Sequence, residues 1–326
     1  MVFAAELRNI DYLELVLVHA AWRRWREVRE RVYRVLGVSN TEELLRSIMD
    51  LRGCKPIEDR LVQFFEALKK VVDEHCLGTA HREVRWMLSM GIEIIPFYSS
   101  RYPCELLRYR TGTDFIYPPL VLYARNLLVD PNSRPIIAVV GTRRCSEWGR
   151  RVAYELGREL ASRGIVVVTG LAEGIDASAA LGAVEARGYV IGVRPWLEPP
   201  SLPEESRRLV ERHGDRISLV SENPFKPASS RRAVNYLYYL RNRIIAGMAK
   251  AVIVVEARLE PHSGSMHQIE LALKRGKPVV IMRHPEKDSV YWRAFETYVS
   301  RGAVPVQSVE EALSTVKRLV EDRASS

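Results

Sequence analysis

The sequence predicts an α/β protein, in which a doubly wound, mostly parallel sheet is preceded by a small all-helical domain. From residue 136 onward, short continuous apolar runs alternate with segments whose apolar residues recur every three or four positions. Continuous apolar runs are typical of parallel strands buried on both faces, and the longer period is that of a helix. Up to about residue 88 the patterns are helical, without a strand-like run. The predicted domains are therefore residues 1–88 and residues 89–326.

The N-terminal residues predict a bundle of four or five helices. One helix start is marked at Ser39–Glu43, where an N-cap candidate precedes acidic residues. Leu61–Val72 and His81–Met90 are amphipathic segments. The same region carries a cluster of arginines, which is consistent with a nucleic-acid contact but is more typical of a solvated helix face: Arg23, Arg24, Arg26, Arg29 and Arg31.

Strands and helices alternate after a lead-in that is punctuated by prolines. The lead-in contains two predicted strands, Ile92–Ile95 and Leu120–Tyr123. The strands predicted for the main sheet are Ile136–Val140, Ile165–Val168, Tyr189–Val193, Ile217–Val220, Ala251–Val255, Pro278–Met282 and Ala303–Val306. The helices predicted between and after them are one through Val152, Leu156 and Leu160, then Pro203–Arg212, Asn235–Met248, Gly264–Lys274, Val290–Ser300 and Val309–Val320.

Length and charge exclude some classes of protein. The chain has 326 residues, of which 27% are charged, as in a soluble globular protein. No apolar run approaches the roughly 20 residues of a membrane helix, and the first twenty residues are too polar for a signal peptide. We therefore expect a cytoplasmic protein without a membrane partner. The formal net charge of +9 permits an anionic partner such as nucleic acid, and equally a surface of ion-pair networks.

The four cysteines are widely spaced along the chain. They form no CxxC pair and have no histidine cluster nearby. Metal sites and disulfide frameworks usually show such regular spacing. We therefore expect four reduced thiols and no metal site, at Cys54, Cys76, Cys104 and Cys145.

The segment Ile136–Asp176 is one strand–helix–strand unit with two glycine turns. The first turn is Gly141-Thr142-Arg143-Arg144, and the second is bracketed by Gly170 and Gly174. Ligands bind at the carboxyl edge of such sheets, where glycine turns and helix N-termini offer N–H groups to an anion. Neither GxGxxG nor GxxxxGK[ST] is present, so neither a dinucleotide fingerprint nor an ATPase loop is supported. The second turn is equally consistent with close packing of a helix on a strand.

Two further predicted turns carry polar residues. Arg241 and Arg243 flank Asn242 where a helix is expected to start. Acidic residues suit a helix N-terminus better than arginines do, so an anionic partner is favoured there over a salt bridge to glutamate. The fourth turn offers small polar groups that would serve as an anion seat or merely as a helix cap: Ser263, Gly264 and Ser265.

Catalytic groups are sparse in the sequence. His262 and His267 flank the fourth turn, and Glu256 and Glu270 are near it. No GxSxG, HExxH or DxD motif is present, and a histidine beside a turn is more often a packing or surface residue. We therefore expect a protein that binds without catalysing a reaction, and we expect no cofactor.

Taken together, the four turns resemble those of the DprA/Smf family of DNA-processing proteins. The resemblance covers about residues 91–282. It rests on these motifs: Val140-Gly141-Thr142-Arg143, Trp148-Gly149, Thr169–Asp176, Ser221-Glu222-Asn223-Pro224, Arg241–Met248, Glu256-Ala257 and Ser263–Met266. Trp148 stands where the family usually has tyrosine, and the stretch from Gly192 to Glu204 lacks the usual Gly-rich, Tyr-Pro segment.

The resemblance implies an extended Rossmann-like domain that binds single-stranded DNA and helps to load a RecA-type recombinase. It implies Arg143 as a phosphate ligand of the first turn, with Arg241 and Arg243 in the family's Arg-Asn-Arg motif. We also expect a homodimer.

A second family remains as an alternative. The lysine-decarboxylase-like phosphoribohydrolases share this kind of sheet and carry PGGxGTxxE at the fourth turn, of which Ser263–Glu270 is a distant echo. In such a nucleotide-hydrolysing enzyme, Glu270 would be the acid and Arg143 the phosphate anchor.

Overall fold

The computed structural model describes residues 10–108, 118–226, 230–260 and 264–325. The N-terminal elements are α1 (Tyr12–Arg23), α2 (Trp25–Leu36), α3 (Thr41–Ile48), β1 (Met49–Asp50), β2 (Lys55–Pro56), α4 (Glu58–Val71) and α5 (Glu74–Ser89). The predicted start of α3 is confirmed, because the Asn40 side chain accepts a hydrogen bond from Glu43 N and Ser39 N donates to the Glu43 carboxylate.

The lead-in forms β3 (Ile92–Pro96), α6 (Cys104–Leu107) and β4 (Val121–Arg125). The alternating part follows as β5 (Ile136–Val140), α7 (Glu147–Ser162), β6 (Val166–Thr169), α8 (Ile175–Glu185), β7 (Val190–Val193), α9 (Glu204–His213), β8 (Ile217–Ser221), α10 (Arg231–Met248), β9 (Ala251–Val254), α11 (Gly264–Lys274), β10 (Val279–Met282), α12 (Val290–Ser300), β11 (Val304–Val306) and α13 (Val309–Ser325). Over the described residues, no helix is both long enough and apolar enough to cross a bilayer.

The fold class predicted from the sequence is confirmed. The main sheet has the strand order β11-β10-β9-β5-β6-β7-β8-β4-β3. The strands from β11 to β8 are parallel, whereas β4 and β3 add an antiparallel edge. Chain order runs outward from β5 on one side and from β9 on the other. The topological switch point therefore lies between β5 and β9, which is where open α/β sheets bind ligands.

Two glycines allow helices α7 and α8 to pack with their backbones in close approach. A Cβ atom on Gly157 would lie 2.0 Å from the carbonyl oxygen of Ala179, and one on Gly182 would lie 2.0 Å from that of Tyr154. Since α7 follows β5 and α8 follows the neighbouring strand β6, this packing sets the two helix N-termini side by side at the carboxyl edge.

The N-terminal helices are anchored on the antiparallel edge of the sheet. His19 of α1 is fully buried and lies between two partners, with Nδ1 2.6 Å from the Tyr123 hydroxyl and Nε2 2.8 Å from the Glu83 carboxylate. Burial lowers the pKa of His19, so the neutral ring accepts from tyrosine and donates to glutamate. The indole of Trp22 donates to the carbonyl oxygen of Glu222. One hydrophobic cluster runs through both regions.

Two details of the N-terminal region differ from expectation. It is not all-helical, because β1 and β2 form a short antiparallel hairpin. In addition, a disulfide joins Cys54 to Cys104, with Cα atoms 5.8 Å apart, so the expectation of four reduced thiols is wrong. The two cysteines are 50 residues apart in sequence, and packing of the hairpin turn against the start of α6 brings them together. Cysteine spacing could not reveal this pair.

We expect Gly157→Ala to lower the free energy of unfolding by about 1–3 kcal/mol, because the new methyl group must push α7 away from the α8 backbone. Helix propensity alone would favour alanine over glycine by about 1 kcal/mol, so a decrease would have to come from the steric contact. Gly78→Ala in α5 is the matched control, since its Cβ would meet only the end of Arg82, 4.0 Å away. Urea denaturation of both variants measures the difference. Equal stabilisation of both would contradict the close approach.

Candidate nucleic-acid interface

The candidate site is built from the turns that follow β5, β6 and β9, together with the side of α10 that faces them. The strands β6, β5 and β9 are adjacent and parallel, so their carboxyl ends share one edge. The first and second turns touch, because a Cβ on Gly174 would lie 2.7 Å from the carbonyl oxygen of Arg143. Gly174 has φ +79°, which L side chains rarely adopt.

A buried carboxylate occupies the switch point. Glu256 lies two residues after the end of β9 and is 1% exposed. Its carboxylate accepts hydrogen bonds from Ser146 N at 2.8 Å and Ser146 Oγ at 2.5 Å, at the N-terminus of α7. Its backbone carbonyl accepts from Thr142 N at 2.8 Å, and His284 Nε2 lies 3.2 Å from its carboxylate. Glu256 thus holds the position that an anionic ligand would take at this helix end.

The N-terminus of α8 also carries a carboxylate. Gly174 N donates to Glu205 at 3.3 Å, and Glu205 in turn pairs with Arg150 at 2.9 Å. The expectation of free N–H groups at the first turn and at the helix after it is therefore wrong at Thr142 and Ser146. Both N–H groups already donate to Glu256, which the chain supplies itself.

The second turn is held from below by two buried ionisable residues. The Asp176 carboxylate accepts from Gly170 N at 3.0 Å and from Ala172 N at 3.4 Å. It folds back onto the turn rather than capping α8. Burial raises its pKa. Arg194, after β7, donates to the carbonyl oxygens of Gly170 and Leu171, and burial together with the charge of Arg241 lowers its pKa to about 9.

Arg241 lies directly beneath this turn. It is 5% exposed, and its Nη1 would be 1.6 Å from a Cβ on Gly170. Its Nε and Nη1 have no hydrogen-bond partner among the described residues. Burial lowers the pKa of Arg241 to about 10; the nearby Asp176 carboxylate acts against that shift, while the Arg143 charge adds to it. A side chain at position 170 would therefore have to displace this guanidinium.

Arg243 has a different environment. Its guanidinium is bidentate to the buried Glu222 carboxylate, with Nη1 and Nη2 at 3.0 and 2.5 Å. The two side chains are 5% and 7% exposed. The salt bridge to glutamate, the less favoured of the two interpretations, is the arrangement present.

The predicted third turn is also wrong, since Arg241–Arg243 lie within the continuous helix α10, whose start precedes them by ten residues.

Contacts between Asn242 and the fourth turn connect α10 to α11. Asn242 is buried, and its Nδ2 donates to the Gly264 carbonyl oxygen at 3.3 Å and lies 3.4 Å from His267 Nδ1. Ser265 is buried at the start of α11. Ser263 and His262 lie outside the described residues. Asn242 therefore fixes the spacing between the two helices instead of facing solvent.

Arg143 and Arg144 form the exposed rim of the site. The Tyr291 hydroxyl donates to the Arg144 carbonyl oxygen at 2.7 Å, which supports the first turn from α12. The rim thus offers two arginines to solvent, and the charge of Arg143 acts on the buried guanidinium of Arg241. An extended anion running across the rim would meet positive charge without entering the sheet.

The residues considered for catalysis are dispersed. Glu256 is engaged at α7, Glu270 pairs with Arg301 at 3.0 Å, and His267 stacks on Tyr239. Within the described ranges, no group of three or more metal-ligating side chains that could hold an ion is present.

Sequence reasoning missed two residues of the site. Arg194 directly follows a strand at the ligand-binding edge, which is a usable signal for a functional or positioning residue. Glu205 gave no signal, because its contact with Gly174 depends on how α9 lies against α8.

Comparison with known proteins gives a consistent result. The family model for DNA recombination-mediator protein A matches residues 93–317. DNA processing protein DprA of Bacillus subtilis is 31% identical over 245 residues, which is 74% of each chain. The DprA of Streptococcus pneumoniae is 31% identical over 240 residues, or 73% of this chain and 75% of the relative.

Solved structures are similar in fold. The DprA structure from Streptococcus pneumoniae superposes with a TM-score of 0.64 and 24% identity, covering 94% of this chain and 98% of that one. DNA processing protein A from Helicobacter pylori, described for its single-stranded DNA binding mode, gives a TM-score of 0.53 at 24% identity, covering 63% and 89%.

The two arginines of α10 should respond differently to substitution. We expect Arg243→Gln to cost about 3–5 kcal/mol of folding stability, because Glu222 would be left buried and unpaired. Arg241→Gln should cost clearly less, since it removes a desolvated cation with two N–H groups that lack partners. Urea denaturation of both variants provides the comparison, and equal destabilisation would contradict the assigned roles.

Proposed function

This chain belongs to the DNA recombination-mediator protein A family, also called DprA or Smf, and we propose that it binds single-stranded DNA along the carboxyl edge of its sheet. The observation that carries the proposal is the pair of exposed arginines, Arg143 and Arg144, in a turn that adjoins the buried cation of Arg241. Arginine side chains bind phosphates through planar, bidentate hydrogen bonds. The Helicobacter pylori relative, described for binding single-stranded DNA, supports the choice of polymer.

Occupied helix ends favour a polymer over a mononucleotide. A nucleotide in an α/β sheet normally rests its phosphates on free N–H groups at the switch point. Here Glu256 and Glu205 occupy the N-termini of α7 and α8, and either would repel a phosphate in the same place. The phosphates of a strand can instead be held at the rim, where arginine side chains give affinity without sequence readout.

In this proposal the other predicted residues shape and support the site and do not contact DNA. Gly170 admits Arg241 beneath the second turn, and Gly174 lets that turn approach Arg143. Arg243 and Asn242 hold α10 against Glu222 and α11. Arg241 adds positive potential from below without touching DNA directly.

A RecA-type recombinase partner, a homodimer and a cytoplasmic location complete the proposal. Their support is the family, whose members process DNA, together with the strand-binding rim. Binding alone accounts for such a role, so we propose no catalytic cycle.

The phosphoribohydrolase alternative is tested directly. Because Glu270 pairs with Arg301 and Glu256 fills the switch point, we expect no free base when the protein is incubated with nucleoside 5′-monophosphates. Chromatography of the reaction measures this. Release of base that disappears in Glu270→Ala would establish the enzyme instead.

The salt dependence of binding tests the rim. For a dT oligomer followed by fluorescence anisotropy, we expect the Arg143→Ala/Arg144→Ala variant to bind more weakly. The slope of log K against log salt should fall by about 0.7 for each phosphate that is no longer bound, or about 1.4 in total. Arg163→Ala is the control, since it removes an exposed arginine at the far end of α7, about 24 Å from the rim.

Two outcomes would overturn the proposal. One is the absence of salt-sensitive binding by the unaltered protein. The other is a rim variant that binds like the Arg163→Ala control.

A further inference from the structure

A stack of aromatic rings lies on α10 and α11, outside the rim described above. Tyr236 and Tyr239 are parallel to within 14°, with centroids 6.2 Å apart. Tyr239 stacks in turn on His267 of α11, with 19° between the ring planes. At the other end, the guanidinium of Arg26 from α2 lies 6.0 Å from the Tyr236 centroid. The set Arg26, Tyr236, Tyr239 and His267 is called the aromatic stack below.

The aromatic stack is continuous with the candidate interface. Tyr236, Tyr239 and Asn242 follow one another at three-residue spacing, so they share one face of α10. Asn242 reaches the His267 ring, and its neighbour Arg241 lies beneath Gly170. The stack therefore leads along a single helix face to the residues that support the rim.

The stack lies beyond the carboxyl edge of the sheet because α10 is longer than the strand that follows it. α10 has 18 residues and ends just before β9, which has four. At usual rises these elements are about 27 Å and about 13 Å long. Since α10 returns antiparallel to the strands, its N-terminal half extends past the carboxyl edge. Tyr236 and Tyr239 lie in that half.

The stack is open to solvent and carries positive charge. Tyr239 is 43% exposed, and Arg26 is exposed. Arg23 and Arg24 of the same N-terminal cluster pair with Glu83 and Glu27. For Arg26, by contrast, no carboxylate lies within ion-pair distance in the described ranges. An exposed tyrosine beside an exposed arginine matches a polyanion that also has flat apolar groups.

The His267 ring is neutral near physiological pH. Burial, with a smaller effect of Lys274, lowers its pKa to about 4. The ring therefore supports Tyr239 as an uncharged aromatic surface, and the positive charge of the stack comes from Arg26.

We propose that Tyr236 and Tyr239, supported by His267 and flanked by Arg26, form a stacking platform for bases of single-stranded DNA that leaves the arginine rim. This inference rests on the proposed function and adds a second kind of interaction to it. Bases stack on aromatic side chains without regard to sequence, and arginine adds cation–π attraction and a hydrogen bond to phosphate. The N-terminal helical region would then contribute to binding through α2.

The test separates bases from phosphates. A dT oligomer is compared with an oligomer of the same length in which a central run of nucleotides is abasic, so that phosphates are kept and bases removed. We expect the unaltered protein to bind the abasic oligomer more weakly, by roughly five- to 150-fold for each stacked base removed. Tyr239→Ala should bind dT more weakly by a similar factor and should discriminate less between the two oligomers.

Matched variants define the mechanism. Tyr239→Phe keeps the ring and should bind like the unaltered protein, whereas Tyr239→Ala should leave the salt slope unchanged because the ring binds no phosphate. Arg26→Gln should lower affinity and reduce the slope by about 0.7, because it removes one phosphate contact. Arg46→Ala, on α3, controls for removal of an exposed N-terminal arginine. Thermal unfolding confirms that each variant is folded.

Outcomes for the platform and for the proposed function are distinct. If the unaltered protein binds neither oligomer, the proposed function fails. If it binds both equally well in a salt-sensitive manner, the rim proposal survives and the platform is overturned. That comparison uses only the unaltered protein, so the platform is tested even when Tyr239→Ala folds poorly. Binding of dT by Tyr239→Ala with unaltered affinity would also overturn the platform.

Discussion

The geometry of the ligand-binding edge depends on one buried carboxylate, Glu256. Its main chain bonds to the first turn, and its side chain bonds to the N-terminus of α7. The carboxylate complements the positive end of the helix dipole, and it removes the N–H groups that a bound phosphate would need. The same residue therefore stabilises the junction of β5 and β9. Because it occupies the helix N-terminus, the positive charge that a ligand can reach is that of the exposed Arg143 and Arg144.

The arginines of the site have three different roles because their environments differ. Arg243 is neutralised by Glu222 and belongs to the folded framework. Arg241 is desolvated, has two N–H groups without partners among the described residues, and is kept close to the turn by the absence of a side chain at Gly170. Arg143 remains in solvent. A buried guanidinium contributes potential at short range through a medium of low dielectric constant, whereas an exposed one can bind phosphate directly.

Helix α10 connects these features to the N-terminal region. Its middle holds the three residues of the Arg-Asn-Arg motif, and its N-terminal half carries Tyr239 and Tyr236, of which Tyr236 faces Arg26 of α2. The N-terminal helices are themselves fixed on the sheet through His19, Tyr123 and the hydrogen bond from Trp22 to Glu222. The same Glu222 that accepts from Trp22 through its carbonyl pairs with Arg243 through its side chain. The framework of the site and the docking of the N-terminal region thus share a residue.

Periodicity and glycine position were sufficient to predict the alternating strands and helices and the first two carboxyl-edge turns, and the motif residues carried the resemblance to the DprA/Smf family. These are properties of short segments. The predicted bounds of the strand Ile136–Val140, for example, are those that the structure has. The sequence could not predict that Arg243 meets Glu222, that Cys54 meets Cys104, or that Glu256 fills the end of α7. Each of these pairings joins residues that are 21 to 110 positions apart. Local sequence determined which groups are present at the edge; only tertiary packing decided which of their charges are neutralised and which remain for a ligand.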